Sequence, residues 1–113
     1  MTEAAGDVPR AAKNEIVLRE LNERLEAHNR WADRRFSEWV CECADEACAE
    51  PVELSIEEYE AVRAEPTRFL VTPGEAHVSP RIEQVVQREE RYWVVEKSGV
   101  GGELSEDLDP RSS

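Results

Sequence analysis

From Ala11 to Phe36 the chain has no glycine or proline, and Leu18, Leu21, Leu25, His28 and Ala32 recur at alternating steps of three and four. That spacing puts them on one face of a helix and predicts a single long helix over 11–36. The apolar stripe is narrow, widened near its start by Ile16 and Val17. A narrow stripe suits packing on one element, either the domain's own sheet or a second copy of the same helix. Glu15–Arg19, Glu20–Arg24 and Glu26–Arg30 are four apart in the favourable acid-first order, each pair adding roughly 0.3 kcal/mol.

After the helix the period changes to two. "FSEWVCEC" sets Trp39, Cys41 and Cys43 on one face and Val40 on the other, as a strand does. "PVEL" predicts a second strand. Ser55 followed by Glu58 is a capping box ahead of Ile56, Tyr59 and Val62, so a helix of about three turns starts there and stops before Pro66. "RFLVT" predicts a third strand closed by a Pro73-Gly74 turn, and "RIEQVVQRE" with "RYWVVEKS" a closing hairpin. The expected fold is α+β: a long N-terminal helix, a small, mostly antiparallel sheet of about five strands, and one short inserted helix. The expected organisation is a disordered 1–10, a single domain over 11–98 and a flexible acidic tail over 99–113.

The 113 residues suffice for one small domain whose core is marginal, and a metal or a partner chain is a common remedy. Formal net charge is −12. It is unevenly placed: seven basic and five acidic residues lie between Arg10 and Arg35, against six and fifteen between Phe36 and Ser98. Such a surface repels phosphate backbones, which disfavours nucleic-acid binding even through "RWADRRF" with Arg30, Arg34 and Arg35. The N-terminus has no apolar segment of the secretory kind, and "YWVV" is far too short to span a membrane. A cytoplasmic protein is the expectation.

All three cysteines fall within "CECADEAC". Three thiols cannot all pair within a chain, and a reducing compartment disfavours disulfides. On an extended strand Cys41 and Cys43 point the same way, and the loop "ADEA" lets Cys48 fold back towards them. Grouped thiolates repel one another unless a cation lies between them, and Zn²⁺ takes soft sulfur ligands tetrahedrally. His77 in "TPGEAHVSP" is the favoured fourth ligand, giving Cys3His, with His28, Asp45 and Glu46 as alternatives. An iron–sulfur cluster is the alternative cofactor. Three thiolates blunt the Lewis acidity of a bound zinc, and no phosphate loop, nucleophile elbow or paired-histidine motif is present, so catalysis is not expected. The residues point to a non-catalytic, zinc-binding interaction or regulatory module, partnered through Leu18, Leu21 and Leu25. The alternatives are a thiol redox or zinc sensor and, against the charge, a nucleic-acid-associated factor.

"KNEIVLRELNERL", "CECADEACAEPVELSIEEYEAVRAEPTRFLVTPGEAH", "RYWVVEK" and "DPRS" resemble a family of short, acidic bacterial proteins of uncharacterised function. Its members carry a leading helix, a CxC-x4-C segment, an EYExVRxxPxRF stretch, a PGH turn and a VVEK strand. The resemblance covers roughly residues 13 to 111 and implies no activity. In the family pattern the histidine follows Pro-Gly directly, whereas Glu75 and Ala76 intervene here before His77.

Overall fold

The first helix, α1 (Glu3–Ala32), begins well before its apolar pattern does and continues through Pro9. The computed structural model describes residues 3–32, 35–45, 48 and 50–111, with the side chains of α1 from Ala11 on. The segment expected to be disordered is thus helical from Glu3; Met1 and Thr2 lie outside the described residues. A nucleated helix extends at little cost through good formers, and Ala4, Ala5, Ala11 and Ala12 supply them here.

The strands β1 (Ser37–Val40) and β2 (Pro51–Leu54) pair antiparallel, Trp39 opposite Val52. The capping box then starts α2 (Ile56–Arg63): the Ser55 hydroxyl accepts from the Glu58 N–H, and the Glu58 carboxylate accepts from the Ser55 N–H at 2.8 Å. The remaining strands, β3 (Arg68–Val71), β4 (Glu83–Arg88) and β5 (Trp93–Lys97), form a second antiparallel sheet in the order β3-β5-β4. Five strands were expected, and they divide into two sheets. The stretch after β1 ties the sheets together, because the Glu42 N–H donates to the Leu70 carbonyl of β3 at 2.9 Å. Between them lies the core: Trp39 stacks on Tyr59 at 3.9 Å and 9°, with Leu54, Phe69, Leu70, Val71, Val94 and Val95 fully buried or nearly so.

The helix α1 does not pack by its leucines. Its inward face is Ala12, Glu15, Ile16, Arg19, Asn22 and Asn29, while Leu21 is exposed and Leu18 and Leu25 are half-buried. What this helix covers is backbone, and backbone demands hydrogen bonds before it demands apolar area. Asn22 meets both the N–H and the carbonyl of Val40 at 2.8 Å, and Asn29 donates to the Glu38 carbonyl. Arg19 lies over the Phe69 ring and donates to the carbonyls of Pro66 and Ser105. Of the three spaced acid–base pairs, Glu26–Arg30 forms at 3.1 Å, whereas Glu15 and Arg19 are both drawn inward to other partners.

The presumed tail is also structured. Residues Gly99–Asp107 form α3, which packs on α1 and the end of β5. Its glycines read as flexibility but permit close approach: a Cβ at Gly102 would meet the Lys97 carbonyl oxygen at 3.2 Å, and one at Gly101 the Ala12 Cβ at 3.6 Å. Beyond α3, Asp109 pairs with buried Arg63, and Arg111 reaches Glu23 and Glu60 at 2.6 and 2.7 Å. Burial alone would raise Glu23, but hydrogen bonds from Arg111 and Tyr59, with the charge of Arg63, hold its carboxyl at about 2.

Beneath α3, Lys97 Nζ sits between the carboxylates of Glu15 and Glu83, all three fully shut off from water. Burial pushes the Glu15 carboxyl up to about 9, against the pull of Lys97. The folded chain therefore holds a proton there that the unfolded chain releases above about 4.5, so this site's contribution to stability falls as pH rises from about 4.5 to about 9. Glu15→Gln keeps the shape and removes the titration. We expect the variant to lose less stability than the native chain on going from neutral to alkaline pH, as read by denaturation midpoints. Parallel losses in the two proteins would contradict this assignment.

Candidate metal centre

Three sulfurs and one imidazole converge from two parts of the chain. Cys41 follows directly on β1 and accepts a hydrogen bond from the Thr72 N–H at 3.2 Å. Two residues on, Cys43 lies on the same buried side and takes the backbone N–H of Asp45. Cys48 is turned back by its own N–H bonding to the Asp45 carbonyl at 3.0 Å, and its sulfur takes the backbone N–H of Glu50. His77 arrives from beyond β3. Gly74, at φ 129°, turns the chain into a single 3-10 turn, Glu75–His77, so the two residues separating His77 from Pro-Gly are what swing its ring inward.

The four ligand atoms lie within 4.8 Å of one another, and the group can hold a metal ion. His77 Nδ1 is 3.7 Å from the Cys41 sulfur and 3.8 Å from the Cys48 sulfur. A tetrahedral ion with metal–sulfur bonds of about 2.3 Å and metal–nitrogen bonds of about 2.0 Å has edges of roughly 3.5–3.8 Å, so these separations suit one small cation. The far nitrogen, Nε2, is 3.3 Å from the Glu50 carboxylate. A carboxylate on the second ring nitrogen fixes the tautomer and aims the first at the metal.

Charge within the group is already biased. Hydrogen bonds from Cys43 and Thr72 lower the Cys41 thiol below its usual range despite burial. The Cys43 thiol is raised strongly by its bond to Cys41 and by burial, and the Cys48 thiol is raised first of all by burial. The three thiols are thus inequivalent, Cys41 being the one whose surroundings favour the thiolate form. A bound cation would displace the remaining protons, because the thiolate is the ligand form.

Glu42, between two of the cysteines, points to the other side. It is fully buried; its carboxylate accepts from Leu70 N–H at 3.0 Å and from Asn22 Nδ2 at 2.8 Å. Burial raises it to about 7 against those two bonds. Asn14 donates to the Cys43 carbonyl at 3.1 Å. The cysteine segment is thereby held from α1 on one side and from β3 on the other.

All four favoured residues, Cys41, Cys43, Cys48 and His77, come together. His28 is exposed on α1 and Asp45 is exposed in the loop; neither belongs to the group, while Glu46 lies outside the described residues. Sequence reasoning missed Glu50 as the partner of His77 and Asn14, Asn22 and Glu42 as supports of the loop. Comparison with protein-family models, with curated proteins and with solved structures finds no match for this chain.

A metal titration separates these roles. His77→Ala should abolish tight binding, His28→Ala should leave it intact, and Glu50→Gln should weaken it by roughly tenfold. Equal affinity in the native chain and the His77 variant would remove His77 from the ligand set.

Proposed function

We propose that this chain is a non-catalytic module of the cytoplasm whose Cys41, Cys43, Cys48 and His77 hold one structural Zn²⁺. The observation that carries this reading is the set of four soft and borderline donors within 4.8 Å of one another, with a backbone N–H on every sulfur. Zinc prefers such sets, and sites with four protein ligands leave no open position for substrate or water. The spacing suits a single ion rather than an iron–sulfur cluster, whose ligands are held apart by the width of the cluster. The ion's task would be to cross-link the loop after β1 to the turn after β3, in a domain too small to hold both by core packing alone.

Cleanly purified, untagged protein should contain about one zinc per chain, and Co²⁺ substitution should give thiolate charge-transfer bands. Chelation should cost at least ~2 kcal/mol, lowering the melting temperature by roughly 10 °C. Metal-free protein whose melting temperature is indifferent to added zinc would end the proposal.

The redox-sensor alternative draws on Cys48, which is half-buried while Cys41 and Cys43 are sealed. With one sulfur at the surface, mild peroxide should release zinc slowly. Fast release that a thiol reductant reverses, accompanied by a large change in circular dichroism, would favour the sensor.

A further inference from the structure

Because α1 turns its polar face inward, its apolar side chains are left facing water. Val17 is 60% exposed, Leu21 41% and Trp31 89%. At 100° per residue these three share an arc of about 80° with Arg24 and His28, on the side of the helix away from the domain. Exposed tryptophan beside exposed aliphatic residues marks contact surfaces, and tryptophan is the residue that most often anchors one.

The charges around this strip say what covers it. Lys13, Glu20 and Arg24 have no ion-pair partner among the described residues, and Glu20 and Arg24 do not pair with each other although they are four apart. Glu20 and Arg24 lie two residues either side of Asn22, and Lys13 and Trp31 lie nine residues either side of it. All four fall on the same flank of the strip. An antiparallel pair of such helices, with its two-fold axis at the level of Asn22, sets Glu20 against Arg24 of the second copy and Lys13 against the ring of Trp31 of the second copy. Symmetry makes each contact twice. Both are favourable: one is an ion pair, the other a cation over an indole face. Between them Val17 meets His28 of the second copy, and Leu21 lies beside its symmetry mate.

We propose that α1 pairs antiparallel with α1 of a second copy of this chain, through Val17, Leu21 and Trp31. The paired stretch from Lys13 to Trp31 is roughly 28 Å long at 1.5 Å per residue. It also occupies the least acidic part of a chain whose net charge of −12 otherwise repels its own copies. The Cys3His group lies on the other side of α1, so a failure here leaves the zinc reading untouched, and the reverse holds.

Sedimentation equilibrium of the full chain, with circular dichroism and metal content as controls, tests the proposal. The native chain should dimerise with concentration, and Trp31→Ala should be monomeric with both controls unchanged. Glu20→Arg alone and Arg24→Glu alone should each weaken the dimer by roughly tenfold, since each sets like charges opposite one another twice. The double variant E20R/R24E should restore it. A native chain that remains monomeric at the highest concentration reached would overturn the proposal, as would single charge variants that dimerise as well as the double one.

Discussion

A strand edge laid against a helix has backbone groups that water cannot reach and that no neighbouring strand serves. The free edge of β1 is in that position, and the structure of α1 follows from it. A helix has spent its own backbone hydrogen bonds internally, so only side chains can answer, and asparagine is suited to the task because its amide repeats the donor and acceptor of a peptide. Asn22 does this in full at Val40, and Asn14 and Asn29 serve the carbonyls of Cys43 and Glu38 on either side. Each of these bonds contributes only ~1 kcal/mol, but leaving the partners unpaired costs ~1–3 kcal/mol apiece. The inward face of α1 is therefore polar by necessity, and its leucines are displaced to the flank and the outside.

The same edge sets the geometry of the Cys3His group. Where β1 ends, Glu42 turns inward to Asn22 and Leu70 while Cys41 and Cys43 turn the other way, a division that extended backbone makes automatically. The cysteines are thus fixed by the residue between them. A cation among the sulfurs and the carboxylate beneath would hold one short segment from opposite sides.

Much of this was legible in the sequence, and the limits of legibility have physical causes. The start of α2 was clear because Ser55 and Glu58 act within one turn, and β2 because "PVEL" alternates cleanly. The cysteine cluster and His77 were legible because few residue types ligate soft metals and they lay close in the chain or in a turn. Periodicity showed that the Leu18, Leu21 and Leu25 face of α1 was distinct, but not which way it pointed. That direction depended on unpaired carbonyls in β1, which leave no trace in the spacing of α1. Gly101 and Gly102 misled for a related reason: the absence of a side chain permits both disorder and close packing, and only Ala12 and Lys97 decide between them. Glu50, which steadies His77, sat among many exposed acids and carried no signal of its own.

Two of the contacts that hold α1 in place come from residues far along the chain: Ser105 accepts from Arg19, and Arg111 clamps Glu23. Their partners are separated by 86 and 88 residues. During synthesis at roughly 5–20 residues per second, separations of that size put several seconds between the making of α1 and the making of the residues that lock it. Until Ser105 and Arg111 have been made, Arg19 and Glu23 of α1 lack these partners and stay open to solvent. That interval leaves this stretch of α1 open to chaperones and proteases before the contacts can close over it.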